Sequence, residues 1–158
     1  MLYSALITKL ETILKNNTNI AAWCTTNYTR AHYFYIETDP EDPPDPATVY
    51  PIVALSPIGW FATVNDPGYG DFNVLIAQGI RETGSSTGNY YKKYTGVANL
   101  MAMQALVQAA IMTAGTDLGG SWVESIEGRY EIMYPDFLAF DMYTFKNPDR
   151  YAPIAART

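Results

Sequence analysis

Apolar and polar residues follow a helical period in two parts of the chain. Residues 2–15 repeat apolar side chains every three or four positions, which predicts an amphipathic helix. Residues 96–114 (GVANLMAMQALVQAAIMTA) predict a second helix, which has no charged side chain and whose strongly polar ones are Asn99, Gln104 and Gln108. A helix on the surface of a small monomer normally shows a broad charged face. We therefore expect this helix to be covered nearly all round, by a sheet on one face and by another subunit on the rest.

Alternating and continuous apolar runs predict the strands. In residues 122–134, apolar side chains alternate with charged ones, which predicts a long strand with one face shielded from water. Residues 137–145 are apolar at nearly every position except Asp141 and Thr144, which predicts a strand covered on both faces. Earlier strands are predicted over residues 32–38, 50–55, 59–64 and 71–82.

Turn-forming residues separate these elements. Residues 39–46 (DPEDPPDP) are rich in proline, which excludes both a helix and a central strand and predicts a loop. Pro51 predicts that the strand at residues 50–55 lies at an edge of the sheet. Residues 20–28 are expected to form a short turn, and residues 83–89 (TGSSTGN) a flexible polar loop that leads into the second helix.

The predicted order of elements is α-β-β-β-α-β-β. This order predicts an α+β fold, with an antiparallel sheet and helices packed on one face. The length supports a single domain over residues 1–158, with an irregular C-terminal tail over about residues 147–158.

The composition favours a protein that contacts other proteins. Charged residues make up 16% of the chain, against roughly 25% in an average soluble domain. Aromatic residues make up 14% and include 13 tyrosines, a residue type enriched in protein interfaces. The net charge of −6 and the pI near 4.6 argue against sequence-specific nucleic-acid binding, although an acidic protein could line a passage for DNA without gripping it.

No catalytic, cofactor-binding or metal-binding motif stands out. His32 is the one histidine and Cys24 the one cysteine, and we expect both to be structural. The carboxylates of the proline-rich loop lack the regular spacing of a calcium loop, so a solvated acidic loop is the preferred interpretation. Residues 1–15 do not resemble a signal peptide, and no apolar run reaches the roughly 20 residues of a membrane span. We expect the chain to be made and kept in a cytosol-like compartment.

The order and style of these elements resemble one protein family. An N-terminal amphipathic helix (LYSALITKLETIL) is followed by an acidic proline-rich loop, strands, a charge-free helix and a final hairpin (WVESIEGRYEIMYPDFLAFDMYTFKNP). Over roughly residues 1–148 this arrangement resembles the tail terminator and tail completion proteins of long-tailed bacteriophages, also called neck or head–tail joining proteins. The resemblance is one of element order, size and style.

The resemblance implies a structural virion protein that is not an enzyme and needs no cofactor or metal. Such a protein forms a ring, expected to be hexameric, that caps the tail tube, ends its polymerisation and joins the tail to the head. Its expected partners are further copies of itself, the tail tube protein and the head–tail connector or stopper protein. The ring is assembled in the host cytoplasm, DNA passes through it without sequence-specific binding, and no membrane is involved.

Two sets of residues are candidates for these contacts. The second helix and the strand at residues 137–145 are expected to form the seam between subunits, where one face meets a different face of the next subunit. The interface candidates are Leu100, Met103, Val107, Ile111, Phe140 and Met142. The loops at residues 39–47 and 83–95 are expected to contact the tube or the connector. Their candidates are Asp39, Glu41, Asp42, Asp45, Tyr90, Tyr91, Lys92 and Lys93.

Other functions stay open at this point. A head-completion stopper or a tail tube subunit would be a different virion part; a tube subunit stacks into an open-ended polymer, whereas a terminator stays one ring. A small hydrolase that uses Asp and Tyr side chains would need a deep pocket with convergent carboxylates. A binding module without a ring would be a monomer that tolerates a charge at Met103 or Val107.

Overall fold

The computed structural model describes residues 3–37, 42, 44–61 and 71–146. Within these residues the chain forms four α-helices, seven β-strands and one 3-10 helix (Gly115–Leu118). The α-helices are α1 (Tyr3–Lys15), α2 (Thr18–Tyr28), α3 (Pro46–Val49) and α4 (Thr95–Met112). The strands are β1 (Tyr33–Ile36), β2 (Ile52–Phe61), β3 (Asp71–Arg81), β4 (Ser85–Gly88), β5 (Tyr91–Tyr94), β6 (Trp122–Met133) and β7 (Asp136–Lys146).

Five of the strands form one mixed sheet in the order β1-β2-β3-β7-β6. Strand β1 pairs with β2 in parallel, and the other neighbouring pairs are antiparallel. The expected α+β class is confirmed, but the expectation of a wholly antiparallel sheet is wrong. The parallel pair arises because the connection between β1 and β2, which contains α3, returns the chain to the end of the sheet where β1 began.

One face of the sheet carries the hydrophobic core. Residues of β7 alternate between fully buried and half-buried, and β3 pairs with them in register, so that Ile76 lies opposite Asp141 and Val74 opposite Tyr143. The long helices pack on this face, α4 against β3 and β7, and α1 against β1 and β2. Within the described residues, helices therefore cover β7 on one side only. The expectation that both of its faces are covered is wrong for this part of the chain.

Two helices occupy segments that were expected to be irregular. Helix α2 replaces the expected turn at residues 20–28, because the Asn17 side chain accepts hydrogen bonds from two backbone amides of its first turn. The short helix α3 begins inside the proline-rich loop. Pro46 occupies its first turn, and the Asp45 side chain accepts a hydrogen bond from the amide of Ala47 at 3.0 Å.

Strand β2 is one continuous strand inside the sheet, where the sequence predicted two pieces and an edge position. Pro51 precedes the ladder, and the register with β3 shifts between Pro57 and Gly59. A bulge at Pro57 accommodates a residue that has no amide hydrogen to donate. Residues 62–64 of the expected second piece and the expected tail at 147–158 lie outside the described residues.

A second, two-stranded sheet is formed by β4 and β5, which pair as an antiparallel hairpin. The sequence predicted a flexible loop at residues 83–89, because serine, threonine and glycine are typical of loops. Here residues Ser85–Gly88 of that segment form one strand of a hairpin that leads directly into α4.

Candidate self-association surface

Helix α4 turns one face to the sheet. Alanine, leucine, methionine and glutamine, all strong helix formers, dominate its sequence. Its first turn lies directly against the Phe137 ring, which leaves space only for Gly96. Four residues predicted as interface candidates are fully buried inside the chain itself: Leu100, Met103, Val107 and Ile111. A side chain without exposed surface cannot contact a neighbouring subunit, so these four are corrected to core residues.

The opposite side of α4 is exposed and uncharged. Met101 is 51% exposed and Met112 is 58% exposed, with alanines between them. We call this set of exposed residues the α4 face; it consists of Ala98, Met101, Ala102, Ala105, Ala109 and Met112. A contiguous apolar surface of this kind typically marks a contact site. The sequence predicted that a further surface would cover this helix. In the structure, the part of the helix that such a surface would contact is its outer side.

The two glutamines of α4 attach the helix to the sheet. Gln104 donates through Nε2 to Oδ1 of Asp141 at 2.7 Å, and Gln108 donates to Oδ2 at 3.3 Å. From β3, Gln78 donates to the same Oδ2 at 3.4 Å. From β6, the Tyr130 hydroxyl donates to Oε1 of Gln104 at 2.6 Å. Asp141 is fully buried, so these donors satisfy a carboxylate that water does not reach.

This polar network is closed around Asp141. Gly128 lies opposite it on β6, and a Cβ at that position would be 2.9 Å from Oδ1. Burial raises the pKa of Tyr143, and the charge of Asp141 raises it further, so this neighbouring hydroxyl stays protonated. A carboxylate enclosed in this way can orient α4 on the sheet. It is not placed to act on a substrate.

Strand β6 is a long outer strand beside the α4 face. It has 12 residues, and as an edge strand it points one row of backbone amides and carbonyls away from β7. On the helix side of the sheet it exposes Tyr130 (48%) and Ile132 (52%). The sequence predicted that the apolar side chains of this strand would all be shielded from water. However, the strand extends beyond the part of the sheet that the helices cover.

An apolar groove joins α4 to β6. It lies where α4 ends and β6 begins and has a volume of about 410 Å³. We call it the junction groove; its apolar lining residues are Ile111, Met112, Leu118, Trp122 and Val123. Trp122 is 48% exposed, so both it and Met112 present apolar surface at the rim. The sequence offered no signal for this groove, because its two sides are brought together only by the packing of helix on sheet.

The second face of the sheet holds the other two interface candidates. Phe140 and Met142 are half-buried on the side away from the helices, where they line a depression of about 370 Å³ together with Leu75. The guanidinium of Arg129 lies 5.1 Å from the centre of the Phe140 ring, within the range of a cation–π contact. Phe140 and Met142 are therefore accessible to a partner, unlike the four helix candidates.

Four of the predicted partner-contact residues lie on the β4–β5 hairpin. Tyr90, at its turn, is 100% exposed, and Tyr91 is 64% exposed. Lys92 and Lys93 follow on β5 and are also exposed, with Nζ of Lys92 5.2 Å from the centre of the Tyr94 ring. We call residues 90–93 the hairpin tip. It presents two aromatic rings and two cations to solvent.

The base of the hairpin is tied to the body of the chain. The amide and the hydroxyl of Thr95 both donate to the carbonyl oxygen of Gly84, at 3.1 and 3.0 Å. The rings of Tyr94 and Tyr134 have their centres 4.9 Å apart. Since β4 and β5 also pair with each other, the expected flexible loop is an ordered arm.

The acidic loop candidates are described only in part. Asp39 and Glu41 lie outside the described residues. Asp42 is exposed, whereas Asp45 uses its carboxylate to cap α3. Among the described residues, no group of three or more His, Cys, Asp or Glu side chains could hold a metal ion.

His32 and Cys24 have structural surroundings. Nε2 of His32 lies 3.0 Å from the carbonyl oxygen of Leu14. Burial lowers the pKa of His32, and the hydrogen bond to Leu14 opposes this shift. Cys24 is fully buried, and burial raises the pKa of its thiol to about 12. A thiol held protonated and out of solvent is not a nucleophile.

Comparison with known proteins does not extend this picture: no protein-family model matches the chain, and no curated protein matches it significantly.

Helix α4 is long and apolar enough to cross a membrane by length and composition alone, with a mean hydropathy of 1.3 over its 18 residues. From the sequence, no apolar run of roughly 20 residues was expected. In the structure the inner side of α4 packs on the sheet, and its glutamines bond Asp141. The core helix of a protein passes the same test, and 33% of this stretch of α4 is buried in the structure.

Proposed function

We propose that this chain is a structural, non-enzymatic subunit of the virion of a long-tailed bacteriophage. Copies of it form a hexameric ring that caps the tail tube, ends its polymerisation and joins the tail to the connector or stopper of the head. The ring is assembled in the host cytoplasm and needs no cofactor. DNA passes through it without being recognised by sequence.

The observation that carries the proposal is the charge-free α4 face beside the outer strand β6. In a monomer this surface would leave Met101, Met112 and the exposed residues of β6 in water. Covering apolar surface contributes roughly 25 cal/mol per Å². A further copy of the chain is an available cover, and a contact between unlike surfaces of two copies repeats around a ring.

Element order supports the terminator role within this class. Helix α1, the strands of the sheet, the charge-free α4 and the β6–β7 pair occur in the order on which the resemblance rests. The net charge of −6 suits a ring that lets DNA pass, because phosphates are repelled by an acidic protein and do not bind to it.

A tail tube subunit is the second candidate. It is favoured by the two edges of the sheet, β1 and β6, because a sheet with two open edges can continue from copy to copy. Such a polymer would be open-ended, whereas a terminator stops at one ring.

The decisive experiment is the mass of the native assembly, measured by native mass spectrometry over a concentration series, with and without tail tubes of the virus that encodes the chain. A ring-sized species, or a monomer that forms a ring only on tube ends, supports the terminator role. Open-ended filaments of the pure protein, visible by electron microscopy, indicate a tube subunit. A monomer that ignores both tubes and connectors contradicts the proposal and favours a binding module or an enzyme.

A further inference from the structure

Two unlike features lie at opposite ends of α4. The β4–β5 hairpin is joined to its first residue, and the junction groove lies beyond its last turn. At 1.5 Å per residue, the 18 residues of α4 separate the two features by about 27 Å. One is a projecting aromatic tip, and the other is an apolar recess.

The Tyr90 ring is presented without cover from the described part of its own chain. It is 100% exposed, whereas the hairpin that carries it is held by its own ladder and by the contacts of Thr95 and Tyr94 at its base. A backbone that is already held in place loses less conformational freedom on binding. Tyrosine is also one of the residues that most often anchor an interface.

The junction groove has the lining to receive an aromatic ring. Ile111 and Leu118 are buried and form apolar walls, and Met112 and Trp122 are exposed at the rim. A methionine side chain adapts its shape and makes favourable contacts between its sulfur and an aromatic ring. A volume of about 410 Å³ leaves space for one tyrosine side chain.

The hairpin tip and the chain as a whole carry opposite charges. Lys92 and Lys93 are the charged residues of the hairpin tip, whereas the net charge of the chain is −6. The cationic tip of one copy is therefore attracted to the acidic chain of another.

The occupant of the groove is a second copy of the chain. The tip of the same copy is excluded by the length of α4 and by the full exposure of Tyr90. A copy that receives a tip in its groove still has its own tip free for the next copy. This head-to-tail arrangement closes into a ring when the rotation between copies permits it.

We propose that Tyr90 of one copy inserts into the junction groove of the next. This inference rests on the proposed function in one respect, the assembly of the chain with copies of itself. It adds the residues that hold neighbouring subunits together.

A cysteine pair tests the contact directly. Tyr90→Cys and Met112→Cys are combined in one chain, which is then oxidised under native conditions; Cys24 does not interfere because it is fully buried. We expect a ladder of covalent oligomers on a denaturing gel. The matched control combines Tyr33→Cys with Met112→Cys, since Tyr33 is 47% exposed on β1 at the other edge of the sheet. Equal cross-linking of the two pairs would overturn the contact.

Loss of the ring provides the second test. Tyr90→Ala should weaken self-association at least about tenfold by native mass spectrometry while its thermal melt stays that of the parent. Tyr33→Ala should leave self-association unchanged. If the parent assembles and Tyr90→Ala assembles equally well, the inference is overturned and the proposed function stands. If the parent stays monomeric at every concentration and with tail tubes, both are overturned.

Discussion

Asp141, Gln104 and Gln108 interrupt apolar segments in the sequence, and the structure joins them in one network. A buried carboxylate is costly unless hydrogen bonds replace its water shell, and here side-chain amides replace it. Because two of the amides come from α4, the network also selects the rotation of a helix whose apolar residues run all round. Residue identity at these few positions therefore decides which side of α4 is left exposed.

Asp141→Ala tests the network. The change removes the Asp141 acceptor of the buried Gln104 amide, whereas Gln78 keeps the carbonyl oxygen of Ile76 at 3.4 Å. Hydrogen bonds to a charged group are worth about 1.5–3 kcal/mol each. We expect the free energy of unfolding, measured with urea, to fall by at least about 1.5 kcal/mol. Thr144→Ala is the matched control, because it removes a half-buried hydrogen bond to Asn73 from the opposite face of the same strand. A loss no larger than that of the control would show that the network does not hold α4.

His32 predicts a dependence of stability on pH. Its folded pKa is lowered from the ordinary value of 6.5, chiefly by burial. The unfolded chain therefore binds a proton more readily than the folded chain, and the stabilising contribution of neutral His32 is lost as the pH falls below about 6.5. His32→Gln keeps a donor for the carbonyl of Leu14 but cannot titrate. We expect the variant to lose less stability than the parent between pH 8 and pH 5 in urea titrations; parallel curves would contradict this.

The sequence predicted helices α1 and α4 and strands β6 and β7, because in long segments the spacing of apolar residues indicates the type of secondary structure. Helix α2 was not, since only Ile20 and Cys24 of it are buried and so short a stripe resembles a turn. The β4–β5 hairpin was missed because its composition is that of a loop. Strand order has no local signal at all, so the edge position of β6 could not be foreseen. For the same reason the sequence did not show that Leu100, Met103, Val107 and Ile111 face the core of their own chain.

Gly96 tests how closely α4 and β7 approach. In a free helix, alanine is more favourable than glycine by about 1 kcal/mol. Here a Cβ at Gly96 would collide with the buried Phe137 ring, and overpacking of a core costs about 1–3 kcal/mol. We expect Gly96→Ala to be less stable than the parent in denaturant titrations.

Phe137→Leu provides the control for this clash. If the ring is the obstacle, Gly96→Ala should cost less in a Phe137→Leu background than in the parent, and the double-mutant cycle should show a coupling between the two positions. Additive effects would mean that the loss of stability has another cause.

At the scale of the whole molecule, the two sides of α4 differ in how far the chain itself covers them. The inner side of α4 is enclosed by the sheet and by α1 and α2, and its four apolar residues are as buried as any in the core. The outer side continues into β6 and the junction groove. The described part of the chain covers the first side and leaves the second exposed, which is the division that the proposed ring requires.

Three glutamate substitutions separate the two surfaces. Val107→Glu places a charge among fully buried side chains, where it would lose its hydration, and we expect it to abolish the native fold in circular dichroism and thermal melts. Ala105→Glu, two residues away on the exposed α4 face, should melt like the parent but fail to form the ring in native mass spectrometry. Ala22→Glu makes the same change on an exposed position of α2 and should affect neither property. A ring that tolerates Ala105→Glu as well as Ala22→Glu would exclude the α4 face from the subunit contact and leave the edge of β6 and the junction groove to hold the assembly.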